Sequence, residues 1–381
     1  MSLSSPALSV RTGASVSPDP QVAARELHAA LQQPNVKLAV FYCATSYDLP
    51  ALADALRAQF GETPLIGCTT AGEISPLGYL DGTITGFSLA GEQVDVATLA
   101  IPLDPFDSAR TAEAVHTIAH GAGAGTGARP AHGFGFLLID GLAMLEEQVV
   151  SCVHQHLGGL DLIGGSAADD TRFENAWLYW EGQFRQRLAV LTIVHTPLPF
   201  MTFRTHHFES TGQRLVVTGA TPAERSVHEI EGRPAAEAYA EAVGVPVEAL
   251  STEVFSRHPV MVRVGGQYFV RSIGKLNDDR SLQFYCAIDE GIVLTVAREL
   301  DLVQNLEETF ASVRSTIGEP VLVLGCDCML RRVATDVSGT RARVGEIFRR
   351  HNVIGLSTYG EQFNAMHVNQ TFTGIAFGAP A

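Results

Sequence analysis

The sequence predicts an α/β protein built from repeated β-α-β-β units, with a β-rich insert between the second and third copies. Three observations carry this. A nine-residue segment, Leu65-Ile66-Gly67-Cys68-Thr69-Thr70-Ala71-Gly72-Glu73, returns as Val353-Ile354-Gly355-Leu356-Ser357-Thr358-Tyr359-Gly360-Glu361. Without a gap, Thr83, Thr85 and Gly86 then fall on Thr371, Thr373 and Gly374, and a weaker third copy opens at Leu162-Ile163-Gly164-Gly165-Ser166. Each copy is preceded by an apolar run and a stretch of helical spacing.

Taken in chain order, residues 1–34 read as a flexible tail with one amphipathic helix over 22–31. The apolar runs 38–42, 134–139 and 321–324 are strands, and Leu49, Leu52, Ala55, Leu56 and Phe60 mark the helix after the first of them. Val344, Ile347 and Phe348 do the same in the last copy. The Ile-Gly strand follows, then a trailing strand at 83–89, 188–194 and 371–377. Apolar runs linked by a helix imply parallel pairs covered on both faces. Between copies two and three, runs at 214–218, 261–264, 268–271, 282–286 and 292–296 read as short strands separated by turn signals. Pro234 opens a helix over 235–243. The Gly/Ala-rich stretch 121–131 is a surface loop. Domains are expected at 35–225 and 226–381.

Of 381 residues, 46% are hydrophobic and 18% charged, which is enough apolar surface to order the chain. The net charge of −15 argues against a polyanion such as nucleic acid as partner. No signal-peptide pattern or membrane-spanning run is present, so a soluble cytoplasmic protein is expected. Six cysteines in so long a chain do not form a disulfide scaffold.

These residues resemble the FIST sensory family, in which an N-terminal and a C-terminal FIST domain form a signal-input module. The N-terminal resemblance runs from Leu38 to roughly Gly219, through the Ile66–Glu73 segment. The C-terminal one runs from about Glu231 to the end and includes Gly325-Cys326-Asp327-Cys328 and the segment from Ser357 to Gly374. That last segment, with Tyr285-Cys286-Ala287-Ile288-Asp289-Glu290-Gly291, is similar to nitric-oxide-sensing haem proteins of the NosP type. The resemblance implies non-covalent haem b, nitric oxide as ligand, and control of a separate histidine kinase or cyclic-di-GMP enzyme, with a homodimer open. No kinase, cyclase or phosphodiesterase sequence occurs in this chain.

A haem needs an axial ligand and cations for its propionates. His207 and His367 are the leading candidates for the iron, followed by His258 before Pro259; His28, His116, His120, His132, His154 and His156 read as solvated residues. His206 and His207 sit in a strand-like stretch, where adjacent imidazoles point to opposite faces. Arg263 and Arg271 flank a Gly-Gly turn and offer a carboxylate clamp, for propionates or for an amino-acid ligand. Tyr359, Glu361, Asn364 and Asn369 of the final motif complete the expected ligand site.

Glu73 and Glu361 read either as catalytic carboxylates or as turn residues accepting backbone N–H bonds, the second being favoured. Gly72 and Gly360 suggest turns at positive φ. Cys326 and Cys328 share one strand face, as buried thiols rather than a redox pair. No Gly-x-Ser-x-Gly elbow, Walker loop or His-Glu-x-x-His motif is present, so a non-enzyme is expected. Two alternatives remain beside the haem sensor. One is a module binding a small polar metabolite such as an amino acid; the other is an enzyme using Cys68 or Cys326 as nucleophile.

Overall fold

The computed structural model describes residues 8–121 and 132–379. The surface loop expected at 121–131 falls, but for Gly121, outside the described residues.

Each repeat is longer than the β-α-β-β unit read from sequence. Repeat one begins with the edge strand Ser9–Ser15 and the helix Pro20–Leu31, and continues with strand Val36–Cys43, helix Leu49–Phe60 and strand Leu65–Thr69. A short hairpin, Glu73–Ser75 and Gly78–Leu80, precedes the trailing strand Ile84–Ala90. Repeat two follows the same order from Asp95–Pro102 to Leu188–His195, and repeat three from Phe200–Thr205 to Phe372–Phe377. The expectation of a flexible tail ahead of the helix is therefore corrected from residue 8 onward, whereas the helix expected over 22–31 is present as Pro20–Leu31. Ser9–Ser15 pairs antiparallel with Ile84–Ala90, and Ala23, Ala24, Leu27 and Leu31 of the following helix are buried. The first helices of all three repeats start at an aspartate, and the carboxylates of Asp19, Asp107 and Asp301 accept the orphan N–H groups of the first turn.

Within each repeat two strands pair in parallel: Val36–Cys43 with Leu65–Thr69, Gly133–Asp140 with Asp161–Ala167, and Leu322–Cys328 with Val353–Thr358. Strand periodicity sorts their residues. Leu38, Val40 and Tyr42 face a central core shared with Phe136, Leu138, Ile163, Leu324, Cys326 and Leu356. Ala39, Phe41 and Cys43 face the helices on the other side, as expected for parallel strands covered on both faces.

The hairpins do not stay in their own sheets. Glu73–Ser75 of repeat one pairs with Val353–Thr358 of repeat three. The corresponding strand of repeat three, Glu361–Phe363, pairs with Asp161–Ala167 of repeat two. Leu178–Trp180 of repeat two pairs with Leu65–Thr69 of repeat one. The exchange is cyclic, so three sheets close around a pseudo-threefold axis. Backbone bonds at the strand ends repeat the cycle: Ala71 N–H to Ser357 O (2.9 Å), Tyr359 N–H to Ser166 O (3.4 Å) and Ala168 N–H to Thr69 O (3.0 Å).

The β-rich insert lies inside repeat three, between its edge strand and its first helix. Phe208–Thr221 and Val293–Glu299 pair at Phe208↔Glu299, so the insert leaves and returns at one point. Its eight-stranded sheet also contains Ser226–Ile230, Val260–Val264, Gln267–Arg271, Ile273–Leu276 and Leu282–Phe284, over a separate core around Tyr239 and Phe255. Helix Ala235–Val243 starts after Pro234, as the sequence predicts.

Candidate functional site

The two glutamates of the repeated motif occupy equivalent places. Glu73 accepts the Thr70 hydroxyl on one carboxylate oxygen (2.5 Å) and the Thr83 N–H (3.0 Å) and hydroxyl (2.7 Å) on the other. Glu361 accepts the Thr358 hydroxyl (2.5 Å), the Thr371 N–H (3.1 Å) and its hydroxyl (2.6 Å). Each carboxylate thus clamps the turn before a hairpin to the strand after it. Burial pushes Glu73 up to about 7 and Glu361 up to about 8, against the opposing pull of the threonine bonds. With all these donors used internally, both read as structural clamps. In repeat two the equivalent pairing position is Leu178, opposite Cys68, and a longer loop precedes it.

That longer loop builds the site. Residues 168–177 carry Phe173 over the carboxyl ends of the parallel strands, where open α/β sheets commonly bind ligands. Its ring lies between Tyr359, at 4.2 Å and 12°, and Tyr285 of the insert, at 5.3 Å and 11°. Asp169 holds the loop by accepting N–H bonds from Phe173 (2.9 Å), Glu174 (3.0 Å) and Asn175 (2.8 Å), and the Tyr359 hydroxyl donates to the same carboxylate. Tyr359 breaks the pseudo-symmetry: repeats one and two carry Ala71 and Ala168 at the equivalent ring of backbone bonds.

Phe173, Tyr285, Cys328, Met329, Leu330, Tyr359 and Asn369 line a small cleft with no room for a water-sized sphere. Asn369 is 1% exposed, and neither its side-chain oxygen nor its nitrogen has a hydrogen-bond partner. His367 is 2% exposed with both ring nitrogens unpartnered. The two side chains converge on Gly360, where an added Cβ would lie 2.3 Å from the His367 ring and 3.2 Å from the Asn369 amide nitrogen. Gly72 has φ +137°, but Gly360 is not in the left-handed region, so the reading of both as positive-φ turns is corrected. Gly360 is there for space. Burial lowers the His367 pKa, partly offset by the nearby Glu147 and Glu146 carboxylates. Burial opposes the ionised form of Glu147, but His367 and Arg225 outweigh it and hold its carboxyl below the usual range.

The other expected site residues lie elsewhere. His207 is not in a strand but in the bend at the root of the insert. Its Nδ1 accepts from Arg331 at 2.8 Å, and Arg331 in turn pairs with Asp327 at 2.7 Å. Burial and Arg331 hold His207 well below its ordinary pKa, so it is a neutral structural residue. His258 caps the helix Thr252–Arg257, and its carbonyl accepts the Tyr239 hydroxyl. Asn364 fixes the hairpin tip, at φ +52°, with its side-chain oxygen accepting from Leu162 N–H at 3.0 Å. Arg263 and Arg271 line a groove of about 550 Å³ in the insert with Arg214, Tyr268 and Val293. Arg271 also donates to the His367 carbonyl (3.3 Å).

A haem requires a slot on the scale of about 300–1,000 Å³ with an imidazole facing it. His207 is committed to Arg331, His258 is outside the cleft, and the cleft beside His367 admits no water-sized sphere. In this conformation none of the three fits a haem iron. Burial also raises the thiols of Cys68, Cys326 and Cys328 far above their ordinary range, which keeps them protonated and poor nucleophiles. The sequence reasoning missed Phe173 and Tyr285 as partners of Tyr359, because each comes from a different part of the chain.

Among the described residues no helix is long and apolar enough to cross a membrane. A protein of Methanocaldococcus jannaschii described as uncharacterized is 23% identical over 280 residues, or 64% of this chain and 53% of that protein. The chain therefore spans about half the length of this relative. A solved cyanuric acid hydrolase from A. caulinodans aligns over 98% of this chain and 99% of its own, at 12% identity and a TM-score of 0.39. The FIST N domain model matches residues 37–233 and the FIST C domain model residues 235–364. On these two matches the chain belongs to the FIST family, whose domains point to a sensory, signal-input role.

Proposed function

We propose that the chain is a signal-input module that takes up a small polar ligand in the cleft between Phe173, Tyr359 and Asn369, and passes the signal to a separate histidine kinase or cyclic-di-GMP enzyme. The observation that carries this reading is the Asn369 carboxamide, buried with donor and acceptor both unmade. Such a group costs roughly 1–3 kcal/mol, and it is retained where something else uses it. The unpartnered imidazole of His367 beside it supports the same reading. The cleft joins the repeats to the insert, so a ligand there would shift one against the other, as a two-state readout needs.

The test is a thermal-shift and calorimetric screen of amino acids and related small metabolites against wild type and Asn369→Leu. The leucine variant should gain about 1–3 kcal/mol of ligand-free stability, because the orphan amide is gone. It should also lose every ligand-induced shift. A variant that loses stability and keeps ligand binding would refute the assignment. Reconstitution with haemin belongs in the same screen: a Soret band that is lost in His367→Ala would turn the reading to a haem-based nitric oxide sensor.

A further inference from the structure

The cleft is closed because a side chain of the protein fills it. Phe173 sits at φ +57°, a backbone conformation that non-glycine residues adopt at a cost. Its ring is nearly parallel to both tyrosines, and it is only half-buried, so it is not a core anchor. Taking it away would open the space its ring occupies against the two tyrosine faces. The unpartnered Asn369 carboxamide lies on the wall of that slot.

We propose that Phe173 is a placeholder, and that the slot between Tyr285 and Tyr359 receives the flat ring of a heteroaromatic ligand whose edge Asn369 reads. A side-chain carboxamide presents one donor and one acceptor side by side, which matches a planar heterocycle bearing an adjacent acceptor and donor, as on a purine edge. Stacking between two aromatic faces supplies the sequence-independent part of the affinity. This inference deepens the ligand-binding reading above and rests on it. The three rings come from repeat two, the insert and repeat three. A ligand that expels Phe173 therefore frees the 168–177 loop and changes contacts of all three at once.

The probe is adenine, titrated calorimetrically into the full chain and into Phe173→Ala, with benzene, leucine and glutamate as controls. Phe173→Ala, which has no ring to expel, should bind adenine at least tenfold tighter than wild type. Adding Asn369→Leu to it should remove at least tenfold of that affinity. If Phe173→Ala melts non-cooperatively, Phe173→Leu replaces it, with the same expectations. Benzene binding as tightly as adenine would mark a mere created cavity and overturn the proposal, as would no gain in adenine affinity. Leucine or glutamate binding to wild type, with adenine refused by both variants, would overturn the ring slot and leave the small-ligand reading standing. Refusal of every compound, and of the wider metabolite screen, would take both.

Discussion

Raising the pH through neutrality should weaken this protein by an amount set by Glu73 and Glu361. Both carboxyls have folded-state pKa values, about 7 and about 8, raised above the ordinary value of 4.5 by burial. The folded state therefore holds protons that the unfolded chain has released. The stability this contributes is fully present below about pH 4.5 and is lost as the pH rises through 7 and 8. Around pH 6.5 the neutral histidines His206, His207, His258, His351 and His367 act in the opposite sense, because their folded pKa values are lowered. Between pH 6.5 and 8 the unfolded imidazoles are still releasing protons, but they do so equally in every variant. The difference between wild type and the double glutamate variant therefore isolates the two carboxyls over that window. Integrating their proton release over that window gives a loss of about 2 kcal/mol, roughly two thirds of it from Glu361. Urea denaturation of wild type, Glu73→Gln, Glu361→Gln and the double variant, at several pH values across the window, measures it. Glutamine keeps the shape, since its oxygen can accept from Thr83 or Thr371 and its amide can donate to the Thr70 or Thr358 hydroxyl. Between pH 6.5 and 8 the double variant should lose about 2 kcal/mol less than wild type. A double variant as pH-sensitive as wild type would refute the reasoning.

The Asp327–Arg331 pair is almost wholly buried, at 1% exposure for both residues, and Arg331 also supports His207 while Tyr79 donates to Asp327. Arg331→Met should cost about 3–5 kcal/mol in urea denaturation, because it strands a buried carboxylate, and adding Asp327→Asn should recover part of it; a cost under about 1 kcal/mol would contradict the buried pairing. Gly355→Ala places a Cβ 1.8 Å from the Gly325 carbonyl oxygen in the adjacent parallel strand and should leave no folded soluble protein. Gly61→Ala meets open space at φ +53° and should cost only about 1 kcal/mol, so equal melting temperatures for these two glycine variants would be the contrary result.

How much could be read from the sequence follows from where the chemistry repeats. The Thr70–Glu73–Thr83 clamp and its Thr358–Glu361–Thr371 counterpart use the same residues at the same spacing, so the first and third copies are visible by identity alone. Repeat two is faint because Leu178 stands where the glutamate would be and the preceding loop is longer. The exchanged hairpins left no signal. Their strands are three residues long, too short for a period of two to emerge, and their partners lie in other repeats. The edge strand Ser9–Ser15 escaped notice because it is small, polar and half-exposed. At the candidate site, Tyr359 and Asn369 were legible through the final motif. Phe173 was not, and Tyr285, though part of the Tyr285–Gly291 segment, was not legible as a partner of Tyr359, since only the fold brings residues 173, 285 and 359 into one stack.

The cyclic loan of hairpins also dictates the order in which the molecule can be finished. The middle sheet is completed by Glu361–Phe363 and Met366–Val368, strands made about 200 residues after Asp161–Ala167. Until they emerge, Asp161–Ala167 has an unpaired edge, the kind of surface that recruits foreign strands. Repeat one is in the converse position: its own hairpin waits for Val353–Thr358 some 280 residues downstream. None of the three sheets is therefore a self-sufficient unit. Stability here is an all-or-nothing property of the closed ring, and a chain interrupted anywhere before its final hairpin leaves a neighbour's sheet, rather than its own, ragged.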